Sequence, residues 1–495
     1  MKLRKLLFRG AVALLLLIAV MAVRTLMQPS LQVEVEAVAK VHLDETALAL
    51  RLASALRFPT ISSSNMSGPE LQPFADLLDW FEISYPTVYA QLRAERVAQH
   101  SLVLTWLGAD ASAAPGLFMA HLDVVPVEPG TEADWTHPAF GGVVADGFIW
   151  GRGALDVKSG AVALHEAIRE LVAAGFQPQR SLYFAFGHDE EIGGAAGNGA
   201  IVPWMQERGI ELQFVIDEGG FILDGLIPEL EPAPVALIDI AEKAYCTIHL
   251  RAKSVGGHSS MPPVSTAVGK IAAAIHKLES NPFPLRLTAP IEAQFRHLAP
   301  EMPLLQRFAL SNLWLTAPLI KSQLAADVRA RSLIQTSTAA TIIAGGVKEN
   351  VVPQHATATV NFRLLPGDTP EAVLIHVTDL IDDPDVVAEL GLTTEPAAPS
   401  SANSATYKAI ARSAREIHPN CIVLPTLLVG ATDSRHYRSI AKEVYRFSGL
   451  RLHLDDVAGF HGTNERMRID YFADGVRIMM RMIQNLSSES NLPKN

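Results

Sequence analysis

The sequence predicts an α/β fold interrupted by an inserted α+β domain, on three observations. Short apolar runs end abruptly at polar residues: GLFMA before His121, SLYFAFG before His188 and QFVI before Asp217. Runs of this length bounded by polar turns read as buried parallel strands. Between the first two lies a helical pattern from Ser159 to Ala174, with Leu164, Ile168, Leu171 and Val172 on one face and Gly175 as its stop. Strand, helix, strand is the α/β signature, and in such sheets ligands gather at the carboxyl ends of the strands. Near Glu242 the pattern changes: YCTIHLRAK alternates like a half-exposed antiparallel strand.

The elements follow in order. Lys2, Arg4, Lys5 and Arg9 precede an uncharged stretch from Gly10 to Val23, closed by Arg24. Residues 1–30 therefore read as an export or anchoring segment rather than part of the fold. The apolar stretch is short of the roughly 20 residues a spanning helix uses. The first Ala-x-Ala pattern, Ala37 to Ala39, lies well downstream. An uncleaved signal anchor is expected, with the basic end cytoplasmic and the folded part membrane-anchored and extracytoplasmic; the alternative is a secreted or periplasmic protein after signal cleavage. Asp44 caps a helix that runs to Leu56 and stops before Pro59. Residues 40–240 form the first part of the main domain.

The insert is expected over 241–395. Its alternating strand leads into GGHSSMPP from Gly256, a helix from Thr266 to Leu278, a break at Pro282 and Pro284, and an apolar, proline-containing helical stretch over 290–335. Strands at Ala340–Ala344 and Thr357–Leu364 and a helix from Pro370 to Ile381 complete it. The main domain resumes over 396–488, because GATDSRHY and GFHGTNER again pair apolar entries with polar tips.

A chain of 495 residues exceeds one compact core, so two domains plus a terminal appendage are expected. The net charge of −11 argues against a broad electropositive surface, so no nucleic-acid partner is expected and small molecules are. Cys246 and Cys421 are the only cysteines, which excludes a disulfide framework and a thiolate metal site and leaves one disulfide or two buried thiols open.

Several motifs place carboxylates or histidines at the ends of apolar runs: HLDVVP from His121, GRGALDVKSG from Gly151, GHDEEIGG from Gly187, FVIDEGG from Phe214 and GFHGTNER from Gly459. Together they point to a two-metal hydrolase, since divalent cations need several anionic or imidazole ligands converging from distant segments. A single strand-end histidine is more often merely hydrogen-bonded; its company here decides otherwise. His121 and Asp123 are two apart, so a carboxylate is available to fix the second ring nitrogen of a ligating histidine. Asp156, in a glycine-rich turn, is a natural bridge between two cations. Glu190 and Glu191 repel each other unless a cation or proton intervenes, so one suits a metal and the other general-base work. Asp217 and Glu218 repeat the dilemma, and either suits the terminal ligand.

Through these motifs the sequence resembles the zinc aminoacylase and carboxypeptidase family that includes carboxypeptidase S, glutamate carboxypeptidase and the N-fatty-acyl-amino-acid hydrolases. The likeness spans about residues 40–485, and the insertion after Pro282 favours the carboxypeptidase S and fatty-acyl-amino-acid branch. The resemblance implies a catalytic zinc-peptidase α/β domain with an inserted lid and dimerisation domain. It implies two Zn2+ ions, one on His121, Asp156 and Asp217 and the other on Asp156, Glu191 and His461, bridged by Asp156 and a water or hydroxide. It also implies that Asp123 orients His121 and that Glu190 is the general base. His258 in GGHSSMPP would reach an active site, its own or a partner subunit's, and stabilise an oxyanion. Asn350 in KENVVP and Arg363 in NFRLLPG correspond to lid residues that touch substrate. Asp433 and Arg435 in GATDSRHY are further candidates for shaping the pocket.

The expected reaction is cleavage of an amide bond beside a free carboxylate, in a small peptide or an N-acyl amino acid, by a protein that associates as a homodimer through the lid. Leu304, Leu305, Phe308, Leu310, Leu313, Trp314 and Leu315 either line an acyl channel or pack the lid. The rival reading is a catalytically silent metal-binding scaffold that associates through the lid. A serine hydrolase on Ser259 or Ser260 lacks the nucleophile elbow that chemistry uses.

Overall fold

The three apolar runs become adjacent strands. Gly116–His121 pairs parallel with Leu182–Gly187 on one side and with Leu212–Asp217 on the other. All six residues of the first are buried, as a strand covered on both faces requires. This is a computed structural model, and it describes residues 2–487 except 37 and 65. The Ala37 end of the Ala-x-Ala pattern, residue 488 at the expected end of the main domain and the polar tail beyond it lie outside the described residues.

The three strands are the middle of a ten-stranded sheet whose order runs from the hairpin Arg93–Val97 and Ser101–Trp106 at one end to Arg451–His453 at the other. The expected crossover helix forms at Lys158–Ala173, within a residue of its predicted bounds. Leu164, Ile168 and Leu171 are at most 1 % exposed, and each such side chain contributes about 1.5–3 kcal/mol on burial. The C-terminal helix Ile469–Leu486 and the helix Glu45–Ala55 pack on the same core. Asp44 caps the latter as expected, its carboxylate accepting the Ala47 N–H at 3.0 Å.

Two strands lie outside the expected elements: Val235–Glu242, which joins the main sheet, and Ile422–Leu428, which pairs parallel with it. Pro425 tells against a strand, yet Ile422–Leu428 pairs on one side only, where a missing N–H costs nothing.

Beyond Lys243 a separate antiparallel sheet forms in the order Ser337–Gly345, His355–Leu364, Ala244–Lys253, Val386–Thr393. Along Ala244–Lys253, Ile248, Leu250 and Ala252 face inward and His249, Arg251 and Lys253 outward, the predicted alternation. Helices Ala267–Ser280 and Pro370–Ile381 cover the inner face, capped by Thr266 and Thr369.

The apolar stretch over 290–335 forms four helices: Ala289–Leu298, Leu304–Ser311, Leu313–Leu324 and Val328–Ile334. They do not join the core of the four-stranded sheet. Ile291, Phe295, Leu298 and Ile320 share a core with Leu424 and Leu427 of the main sheet.

At the amino terminus the apolar pattern extends into one helix, Lys2–Met27, long and apolar enough to cross a membrane. Nearly all of its surface is uncovered, but its last turns are built into the fold. Thr25 is buried, and Asn312 Nδ2 donates to Met21 O at 3.3 Å and to Thr25 Oγ1 at 3.1 Å.

Candidate metal centre

Parallel pairing sets His121, Gly187 and Asp217 as the last residues of neighbouring strands, so the loops after them meet at one edge of the sheet. His121 Nδ1–H donates to the Asp123 carbonyl at 3.0 Å and lies 3.3 Å from Asp123 Oδ1, which fixes the tautomer and directs Nε2 outward. Nε2 then lies 2.9 Å from Asp156 Oδ1. On the other side, His461 Nε2 lies 3.1 Å from Asp156 Oδ2 and 3.3 Å from Glu191 Oε2. Asp156 thus stands between two imidazoles, each presenting a nitrogen to one of its oxygens.

Two ligand groups result, with ligand atoms within 4.8 Å of one another: His121, Asp156 and Glu218, and Asp156, Glu191 and His461. Burial raises the Asp156 pKa, but the hydrogen bonds and charges of the two imidazoles outweigh it and hold the carboxylate far below its usual range. Burial also drives Glu218 and Glu190 well above the usual carboxylate range, reinforced by Asp156 and by other neighbouring acids. Glu191 Oε1 is buried with no hydrogen-bond partner. Acidic oxygens packed this closely, two imidazole nitrogens facing acceptors and one orphaned oxygen are the donor set of divalent cations, and the residues fit two of them.

Of the two candidates for the terminal ligand, Glu218 lies within the ligand group and Asp217 does not. Asp217 is turned away from the cluster, and its oxygens accept the N–H groups of Glu218 at 2.9 Å and Ser434 at 2.7 Å. As the last residue of the strand, its side chain points to the opposite face from that of the next residue, so Glu218 enters the ligand group.

The supporting residues were mostly not foreseen. Asp123 Oδ1 accepts the Glu190 N–H at 3.1 Å, and its Oδ2 accepts the Glu191 N–H at 3.0 Å and the Ser62 hydroxyl at 2.6 Å. One carboxylate therefore holds both the histidine and the acidic turn. Glu465, inside the quoted GFHGTNER, receives the amides of Gly153 and Leu155 and the Arg152 guanidinium. Asp433 accepts from Asn198 at 2.8 Å, and its carboxyl is pushed up to about 7 by burial. A Cβ on Gly194 would fall 1.7 Å from Asp433 Oδ1, so the second glycine of DEEIGG is required there.

The remaining expected residues divide. Arg435 packs beside Asp433, donating to Gly193 O at 2.7 Å. Arg363 is half-buried on the lid, its guanidinium 4.8 Å from the Tyr245 ring centroid and within electrostatic reach of Glu190 and Arg435. His258 and Asn350 are exposed on a small ribbon where Ser259 N–H donates to Asn350 O at 3.1 Å, and neither belongs to a ligand group. His258 Nδ1 is 2.8 Å from Ser260 Oγ, a contact within one exposed turn. Cys246 and Cys421 are buried free thiols. Leu310, Leu313 and Trp314 line a cavity of ≈ 700 Å³ with Arg24 and Met27 of the first helix, and no residue of the metal centre lines it.

A doubly layered α/β sheet with a separate antiparallel lid and clustered carboxylates and histidines at its strand ends defines a metal-dependent hydrolase. The chain belongs to peptidase family M20/M25/M40, whose model matches residues 117–485. It is 36 % identical over 485 residues to a probable carboxypeptidase S-like 2 of Dictyostelium discoideum, covering 95 % of this chain and 92 % of that protein. An N-fatty-acyl-amino acid synthase/hydrolase of Mus musculus is 35 % identical over 448 residues, covering 89 % of this chain and 88 % of that protein. The crystal structure of human carnosine dipeptidase 1 shares the fold, with a TM-score of 0.64 at 16 % identity over 90 % of this chain and 96 % of that chain. The family and fold class expected from the motifs are thereby met, and the chain is a hydrolase of the metallopeptidase and aminoacylase kind.

Proposed function

We propose that this protein cleaves an amide bond adjacent to a free carboxylate, in a carboxypeptidase S-like peptidase or N-acyl-amino-acid hydrolase reaction. The domains carrying it are the catalytic parts at 40–240 and 396–488, on which the helices within 290–335 pack, and the lid formed by the rest of 241–395. Zinc would be held in two places, by His121, Asp156 and Glu218 and by Asp156, Glu191 and His461. When bound, the ions supply Lewis acidity to the scissile carbonyl and lower the pKa of water toward neutrality.

The observation that carries the reading is Glu190, a carboxylate largely withdrawn from water beside both ligand groups and raised well above its usual range, first by burial. A carboxylate with raised basicity suits taking a proton from water and returning it to the leaving amine. The backbone bond from Glu190 N–H to Asp123 keeps it in register with His121. Arg363 lies within electrostatic reach of Arg435 and Glu190, and a guanidinium there suits the substrate carboxylate. His258, exposed on the lid ribbon, suits oxyanion stabilisation in an active site of a second copy, with the lid as the dimer contact. Asn350 beside it suits the substrate. The first helix suits a retained membrane anchor, because Thr25 and Met21 are buried against the fold. Catalysis would then be extracytoplasmic.

The test is Glu190→Gln. The variant is expected to bind metal like the parent and to lose turnover by about 10²–10⁴-fold, the range of general acid–base contributions. Near-parental turnover in a metal-loaded variant removes Glu190 from this role. Comparing an N-oleoyl amino acid with an apolar dipeptide then separates the two substrate classes.

A further inference from the structure

We infer that helices Leu304–Ser311 and Leu313–Leu324 form a bilayer-docking surface beside the first helix, so that the protein meets the membrane through its fold as well as its anchor. The inference rests on the reading of the first helix as a membrane anchor.

The composition of these helices is the first observation. From Met302 to Ile320 the only charged residue is Arg307. Its guanidinium is turned inward, donating to Thr25 O at 3.0 Å, Gln28 O at 2.7 Å and Pro300 O at 3.4 Å. The outward side is therefore free of ionised groups over the whole stretch. Leu304, Leu305, Trp314, Leu315 and Leu319 are between 47 % and 78 % exposed, and Leu315, Pro318 and Leu319 share one face by helical spacing. A contiguous apolar patch of this kind on a soluble surface marks an interaction site.

What covers it follows from its neighbour. The first helix is itself uncovered along Leu6, Leu14, Leu15 and Leu16, then docks through Thr25 onto Asn312, the residue between the two helices. A helix rises about 1.5 Å per residue, so the uncharged stretch Gly10–Val23, between Arg9 and Arg24, spans about 21 Å of a hydrocarbon core about 30 Å thick and ends at the docked turn. The interface then falls near the docked turn, at the level of the patch. Arg24, Arg296 and Lys321 line the adjoining cavity with one carboxylate, Glu292, an excess of positive charge where lipid headgroups lie. Trp314 lines the same cavity, and tryptophan favours this depth.

The test places a nitroxide label in the full-length protein in vesicles of phosphatidylcholine and phosphatidylglycerol. Cys246 and Cys421 are buried, so cysteines introduced as Leu315→Cys or Leu319→Cys are labelled selectively, and amide hydrolysis reports that each variant is folded. Leu16→Cys reports the anchor, and Val255→Cys, exposed on the lid, reports water. Labels at 315 and 319 are expected to collide several-fold more with oxygen than with an aqueous nickel chelate, with the reverse at 255. An aqueous profile at 315 and 319 overturns the docking surface, as does shielding from both reagents, which denotes a protein interface. The label at 16 reads the anchor separately: in lipid it leaves the anchor standing while the surface falls, and in water it removes the anchor.

Discussion

Glu465 accepts the backbone N–H of Asp156, 309 residues earlier, at 3.2 Å, joining the loop that carries Asp156 to the loop that carries His461. The same carboxylate takes the Leu155 N–H at 2.6 Å and the Gly153 N–H at 3.0 Å and pairs with Arg152 at 2.8 Å. Both of its oxygens are saturated, so Glu465 sets where Asp156 can stand relative to His461.

Glu465→Gln keeps the volume but turns an amide NH2 toward backbone N–H donors. Leaving buried donors unpaired costs about 1–3 kcal/mol. The variant is expected to fold, to melt at a lower temperature and to hold metal about 10–100-fold more weakly, as when an outer partner of a metal ligand is lost. Competition against a chelator measures this, and parental affinity would show that the clamp does not govern the centre.

Asp217 and Glu218 are adjacent, and only their orientation separates their roles. Glu218→Ala is expected to lose about one metal equivalent per chain, measured by elemental analysis. Asp217→Asn is expected to keep both metals, because its oxygens bind the amides of Glu218 and Ser434. Equal metal loss in the two variants would return Asp217 to the ligand set.

That pair also shows what was legible in the sequence. The strand ends were readable because buried parallel strands are continuous apolar runs that stop at a polar residue, and His121, Asp156, Glu191 and His461 fall together as their motifs suggested. The choice between Asp217 and Glu218 was not, because it depends on the phase of the pleat at the strand end. Glu465 was visible in GFHGTNER but silent, since nothing local says that a carboxylate will meet amides from a loop so remote in sequence. The stretch over 290–335 was readable as helix and misleading as part of the lid. Its apolar faces fit either sheet, and contact with Leu424 and Leu427 decided between them.

Arg363 lies on the lid strand His355–Leu364, facing away from the lid core that holds Phe362 and Leu364. If it binds the substrate carboxylate, Arg363→Lys keeps the charge but loses the planar fork. A lost hydrogen bond to a charged group is worth about 1.5–3 kcal/mol, so kcat/KM is expected to fall about 10–100-fold for substrates with a free carboxylate. Amidated analogues, already poor, are expected to be unaffected. An equal loss on both would assign Arg363 to lid packing with Tyr245.

His165 gives a pH dependence of stability independent of the metal centre. It sits in the crossover helix, fully buried, stacked on Phe81 with ring centroids 4.2 Å apart. Its Nδ1–H donates to Ala161 O at 2.8 Å, and Nε2 has no partner. Burial pushes its pKa down to about 4, against the weaker upward pull of the Ala161 carbonyl. The unfolded chain binds this proton near pH 6.5 and the folded chain only near 4, so between those values the unfolded state holds more protons and stability falls with acidification. The contribution is fully present above about pH 6.5 and fades at up to about 1 kcal/mol per pH unit down to about pH 4. His165→Phe preserves the stack and removes the proton site. Its unfolding free energy is expected to fall less steeply from pH 6.5 to pH 5 than the parent's, measured by denaturant titration in vesicle-free detergent. Parallel curves for the two proteins would mean that His165 takes its proton in the folded state, and the buried, partnerless Nε2 would then have to be reached by water.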